Sequence, residues 1–236
     1  DPAGRRMNPI SAQDALEAIR AGQPLKGRMV MNLECRGADL QGADLESADF
    51  MNCDFAGANL TRARLAGARF TSTRLTQANL SFANLAETMF MGTHLAGARL
   101  DGAVLIKTIF DSADLERASF VESFLGDRVV MIGAKLGRSQ FVRAILNDVY
   151  LSEADLRDAL FQECSLAGVR MDSADLRKAR IRGGSWRSVT CRESNLSGLD
   201  LSGHYMEACD FREAQLEETL LAGAYLGACR FDHAFM

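Results

Sequence analysis

From Val30 to Leu125 every fifth residue is apolar, with Leu40, Leu45, Phe50, Phe55, Leu60, Leu65 and Phe70 as typical members. The pattern slips by one residue and resumes from Met131 to Met236, giving 20 positions before the slip and 22 after it. Leu or Phe fills 33 of these 42 places, so the site they occupy is large, uniform and inward-facing. A second series lies two residues ahead of the first: Ala38, Ala43, Ala48, Cys53, Ala58, Ala63, Ala68 and onward. Within it only Arg28, Leu33, Leu199 and His204 are larger than Val. A helix repeats every 3.6 residues and a strand every 2, so neither explains strict fives.

A four-sided coil does explain them, with one five-residue unit per side. Each side points its small and its large residue inward, and a tight turn makes each corner. The residue two after the large one is Gly at 13 places, including Gly37, Gly42, Gly57, Gly67, Gly97, Gly168 and Gly198. Glycine there suits a corner that demands permissive backbone angles.

The unit is plain in Ala38-Asp39-Leu40-Gln41-Gly42 and Ala58-Asn59-Leu60-Thr61-Arg62. It resembles the repeat of the pentapeptide-repeat family, A-[D/N]-L-x-x, over about residues 28–236. The resemblance implies an all-β solenoid: a right-handed quadrilateral parallel β-helix of about ten coils, closed at its N-terminal end by a short α-helical cap. At the usual strand spacing of ~4.8 Å such a rod is about 50 Å long. The antibiotic-resistance members of the family carry a dimer contact at the C-terminal end, so the resemblance also implies a homodimer.

The expected organisation is a leader and capping helix over 1–27 and a β-helix over 28–236, with a one-residue register slip at 126–130. Asp1–Arg6, ahead of Met7, read as the remnant of a longer chain and are set aside. Ser11 can cap a helix running to about Ala21; Asp14 lies in its first turn, and Gly22 and Pro24 end it. Ala12, Ala15, Leu16 and Ile19 form one apolar stripe that could sit on the first coil.

Composition narrows the function. Thirty-one acidic against 27 basic residues give a net charge of −4, too balanced for a generic nucleic-acid binder. No apolar run approaches the ~18 residues of a membrane helix, and no secretory signal pattern precedes the first structured segment, so no membrane partner is expected. Three histidines leave little for a His-based active site. Cys53, Cys164, Cys209 and Cys229 fall in the small series and Cys35 and Cys191 in the large one, so all six read as core groups; no CxxC spacing suggests a metal site. Six unpaired thiols favour a reducing, cytoplasmic setting. No cofactor is expected.

His204 is the odd inward residue, and Gly184 one coil earlier reads as the volume that accommodates it beside Trp186. Asp39, Asp44, Asp49 and Asp54 band one coil, and Arg62, Arg64, Arg69 and Arg74 band the next. Stacking sets Asp44 near Arg64, Asp49 near Arg69 and Asp54 near Arg74, a solvated surface that fixes register. Opposite charges interrupt every carboxylate column, which argues against an enzyme.

Apolar residues also occur where the repeat calls for polar ones. On one side these are Val104, Ile106, Phe124 and Ile145; on the adjoining side, Met89, Met91, Ile109, Val130, Ile132 and Tyr150. A contiguous patch of this kind marks an interface. A smaller outward group, Tyr205, Leu220, Tyr225 and Phe235, suits end-to-end dimerisation. The expected function is therefore a non-enzymatic scaffold that presents the patch to a protein partner or second copy. The alternative, implied by resemblance to the quinolone-resistance members, is mimicry of DNA toward DNA gyrase. The arginine-rich coils at 170–192 spread over all sides, so no direct nucleic-acid groove is expected.

Overall fold

The computed structural model describes residues 8–236; Asp1–Arg6, set aside above, lie outside the described residues. Strand pairing is parallel with partners 20 residues apart: Val30 with Phe50, Phe50 with Phe70 and Phe70 with Phe90. Single bridges such as Asp54 with Arg74, Asn59 with Asn79 and Asp44 with Arg64 repeat that spacing on the other three sides. Twenty residues therefore make one coil of four sides. Side one carries Val30 and Phe50, side two Cys35 and Phe55, side three Leu40 and Leu60, side four Leu45 and Leu65.

The solenoid has about 11 turns, one more than the repeat register counts. The reason is the strand Asn8–Ile10, which precedes the helix and pairs with Arg28–Met31, Ile10 beside Val30. The helix Ala12–Arg20 lies inside that extra turn. Ser11 caps it, its hydroxyl accepting from the Asp14 N–H at 3.1 Å. Ala15 and Ile19 are buried, and Ala12 and Leu16 pack partly buried beside them.

Most corners are closed β-turns. The Leu40 carbonyl accepts from the Ala43 N–H at 3.1 Å, and Gly42 takes φ +68° at the third position. That is the type II arrangement, which wants φ above zero there. Polar residues occupy the same conformation at other corners, Arg62 and Gln77 both at +58°. Several buried Ser, Thr and Cys of the small series hydrogen-bond across coils. Thr88, Thr108, Cys164 and Ser194 donate to the carbonyls of Leu65, Leu85, Phe141 and Met171, each 23 residues earlier. Most polar atoms thus enter the core paired, while the buried Thr93 and Ser139 hydroxyls and the His204 Nε2 have no partner.

The large series forms ladders of rings. Phe50, Phe70, Phe90 and Phe110 stack at 5.1, 5.2 and 4.7 Å, and Phe120, Phe141 and Phe161 at 4.7 and 4.8 Å. Ring spacing follows strand spacing because identical inward sites lie one above another.

At the slip the pairing offset changes from 20 to 21. Val104 still pairs with Phe124, but Phe124 pairs with Ile145 and Ile109 with Val130; Val130 to Tyr150 is 20 again. Two consecutive residues, Asp127 (φ +52°) and Arg128 (+68°), are left-handed there, where the coil below has Lys107 (+53°) alone. The extra residue is absorbed in the corner, and the core ladder continues from Leu125 to Leu146.

Two inward expectations are corrected. Gly184 is exposed, not inward: it sits at φ +83° with its backbone against Cys164, where a Cβ would run into the Cys164 carbonyl oxygen. Close backbone approach, rather than volume for a neighbour, requires glycine there. Met236, in register with the core series, is 75% exposed at the end of the rod.

Candidate functional site

The two sequence stripes meet along the corner between side four and side one. Strand register stacks Val104, Phe124 and Ile145 on side four. On side one, bridges stack Met89, Ile109, Val130 and Tyr150 over four successive coils. Ile106 flanks the corner on side four. Met91 and Ile132 lie on side one, on the far flank of the column from the corner. All ten expected residues therefore lie on two adjoining sides.

Their exposure is graded. Met91 (48%), Ile145 (43%), Val104 (39%), Ile132 (38%) and Phe124 (36%) are exposed, while Met89, Ile106, Ile109, Val130 and Tyr150 are half-buried among them. Phe124 lies flat because Gly126, two residues on, has no Cβ to hold the ring off; one would sit 2.8 Å from it. Arg170 stacks on Tyr150, 4.9 Å from the ring centroid, and closes the column toward the C-terminus. A 3.2 Å ion pair between Lys107 and Asp127 stands on the corner itself, with Arg128 beside it. The surface is thus an apolar strip divided by a charged ridge.

Phe82 belongs to this surface although the repeat pattern does not single it out. It occupies a corner between sides three and four at φ +58°, is 58% exposed, and lays its ring over Gly102. Corner positions of the repeat are mostly polar or glycine and follow no apolar period, so a lone aromatic among them carries no periodic signal; the missing side chain at Gly102 is the available one. Phe82 adds to the strip near Val104, one coil on.

The C-terminal group is not one patch. Tyr205 and Tyr225 stack on side four at 4.7 Å. Leu220 pairs beside Asp200 on side three, and Phe235 beside Gln215 on side two. Proximity in sequence suggests a cluster, but residues 5, 10 or 15 apart occupy different sides of a 20-residue coil.

The charged bands are less solvated than expected. Asp44 and Arg64 approach to 3.6 Å, although Arg64 lies closer to Glu46 at 2.7 Å. Asp49 is paired in register with Arg69. Asp54 is buried, not exposed, and is gripped by Arg36 at 2.7 Å and Arg74 at 3.0 Å. Burial works to raise its pKa, but the Ala56 N–H and the two guanidinium groups outweigh it and hold the carboxyl below its ordinary range. Asp210 repeats the arrangement between Arg212 (2.7 Å) and Arg192 (2.6 Å). The Arg212 hydrogen bond leads, against burial and with help from Arg192, and holds that carboxyl well below the usual range.

Five of the six cysteines are buried and Cys229 is half-buried. Burial pushes the Cys35 and Cys164 thiols up to about 11 and Cys209 to about 12, away from the reactive thiolate form. Among the described residues no group of three or more His, Cys, Asp or Glu could hold a metal ion. Nor is any helix among them long and apolar enough to cross a membrane.

A stacked four-sided coil built on fives defines the pentapeptide-repeat class. The family model for pentapeptide repeats matches in 8 copies spread over residues 34–227, and the chain belongs to that family. Among solved structures it is similar to QnrB1, a plasmid-mediated fluoroquinolone resistance protein, in a trypsin-treated form. The TM-score is 0.60 at 16% identity, covering 86% of this chain and 92% of that one. HetL, a pentapeptide repeat protein involved in heterocyst differentiation regulation in the cyanobacterium Nostoc, is 26% identical over 94% of each chain, with a TM-score of 0.35. No curated protein sequence matches the chain.

Proposed function

We propose that this pentapeptide-repeat rod is a non-enzymatic scaffold that docks a protein partner, or a second copy of itself, on the apolar strip where side four meets side one. The carrying observation is a pair of apolar columns flanking one corner of the rod. Ten side chains that the repeat would make polar are apolar, and strand register stacks seven of them in two columns, Val104–Phe124–Ile145 and Met89–Ile109–Val130–Tyr150. Scattered exposed apolar residues are ordinary, but a contiguous set is a mark of interfaces. A rigid core that leaves outward positions free lets such a strip be written without cost to the fold. The six free thiols suit a reducing, cytoplasmic setting.

The test is the double substitution Phe124→Asp with Ile145→Asp, both on exposed positions of one column. Association should weaken about tenfold or more while the β spectrum stays intact, since charge placed in an interface core is strongly disfavoured. Unchanged association sinks the proposal.

A second reading is DNA mimicry toward DNA gyrase. It is favoured by a likeness to QnrB1 that spans most of both chains. The arginine bands at Arg62, Arg64, Arg69 and Arg74 and over 170–192 weigh against it, as a mimic of duplex DNA should present acidic surface. Inhibition of gyrase supercoiling, or protection of gyrase from a quinolone, at low-micromolar protein would promote this reading; no effect would remove it.

A further inference from the structure

The edge diagonally opposite the apolar strip, where side two turns into side three, has a different character. Its corner column reads Arg117, Arg138, Asp158 and Lys178, one residue per coil, all left-handed at φ 60°, 59°, 60° and 62°. Arg180 stands beside Lys178 on side three. A groove of about 520 Å³ runs between Arg117, Arg138, Lys178 and Arg180, with Asp158 and Gln140 on its walls. A second hollow of about 700 Å³ adjoins it on the side-two flank. Gly137 helps open that flank. Its neighbours Glu116 and Arg157 carry long side chains, and a Cβ built on Gly137 would meet nothing closer than 3.7 Å.

The cations around the smaller groove outnumber their counter-charges. Arg117 and Arg138 share one carboxylate, Glu116, at 3.8 and 4.0 Å. Lys178 and Arg180 form no ion pair among the described residues. Asp158 supplies one carboxylate against the four cations. The acids of the adjoining flank are already engaged, Asp155 by Arg157 at 2.6 Å and Asp175 by Arg177 at 2.6 Å. At other places a cation sits opposite an acid one coil away, as in Asp44 with Arg64 and Asp54 with Arg74. Stacked like charges repel, so a groove with excess positive charge invites an anion from outside.

We infer that this groove binds a compact polyanion carrying two or more phosphate groups. Guanidinium forks suit phosphate oxygens, and the ammonium of Lys178 adds a point charge at the groove's end. The volume falls within the range of small-ligand sites. The basic column is short: Gly97 precedes it and Gly198 follows it in the same corner register, so it covers four coils, about 15 Å of rod. A long nucleic-acid strand would need a longer track, whereas a small phosphorylated ligand is spanned by it. The inference stands apart from the docking strip, which lies across the core on the opposite edge.

The experiment is calorimetric titration of the full chain with inorganic tripolyphosphate, at low salt and again at physiological ionic strength. Saturable binding at one site is expected, weakened about tenfold or more in Lys178→Asn/Arg180→Gln and unchanged within about twofold in Arg170→Gln, a cation removed elsewhere. Asn is chosen at 178 because it tolerates a left-handed backbone. A thermal melt checks that the variant folds, and Arg138→Gln supplies a second, independent variant expected to weaken binding in the same direction. Absence of saturation, or equal loss in Arg170→Gln, overturns the inference. So does tighter binding of a 20-nucleotide single strand than of tripolyphosphate, which would assign the edge to nucleic acid.

Discussion

Each inward residue is specified by the residue one coil above and below it. Phe90 lies between Phe70 and Phe110, at 5.2 and 4.7 Å, and is fully buried. Phe90→Ala removes one rung and leaves a cavity that the rigid coils above and below cannot collapse into. We expect a loss of about 3–5 kcal/mol, read from the urea midpoint. Gly184→Ala should also destabilise, although the change is one methyl at an exposed site, because the new Cβ meets the Cys164 carbonyl and φ is +83°. A melting temperature equal to wild type would contradict that account. Asp210 gives a pH signature. Its folded pKa is lowered, so its stabilisation is present above the unfolded value of about 3.9 and is lost as pH falls toward the folded value. Asp210→Asn should therefore be less stable than wild type at pH 7, and the gap should close as the pH is lowered below about 4. The inward identities are legible in the sequence because the fold has one kind of inward site and repeats it. Gly184 is not, since a period shows which way a residue should point and not how closely two backbones pass. The burial of Asp54 is equally hidden: it depends on Arg36, 18 residues earlier, and Arg74, 20 later, reaching over the same carboxylate.

At the scale of elements, the corner is the unit that tolerates change. The slip shows this: one extra residue fits between Leu125 and Met131 by placing Asp127 and Arg128 both in the left-handed region. Deletion of Asp127 restores an ordinary corner with a single left-handed residue, like that at Lys107. That deletion should fold and melt within about 4 °C of wild type. Deletion of Arg117, at a regular corner, should instead shift every later side out of register and abolish the cooperative transition. Equal behaviour of the two deletions would show that the slip holds no slack. The slip's position is readable as a break in the fives, and its mechanism needs the backbone angles. The strand Asn8–Ile10 is invisible to the periodicity because the helix Ala12–Arg20 separates it from the next member of its column, Val30.

As a whole molecule the rod has one core and four independently writable outer sides. Which outer residues share a side follows from counting by 20, with 21 across the slip. That is why the strip from Met89 to Tyr150 is legible while the group at Tyr205, Leu220, Tyr225 and Phe235 dissolves onto three sides. What the count omits is the corners, and Phe82 and the basic edge at Arg117, Arg138 and Lys178 both lie there. The central claim is that the strip is where the rod meets another protein. The most direct measurement places a photocrosslinking side chain at Ile132 on the strip, and in a second protein at Arg99 on side three, the face opposite side one. The account predicts one discrete crosslinked product from position 132, either a second copy or another protein, abolished by Phe124→Asp/Ile145→Asp and absent from position 99. No product at 132, or the same product from both positions, would contradict it.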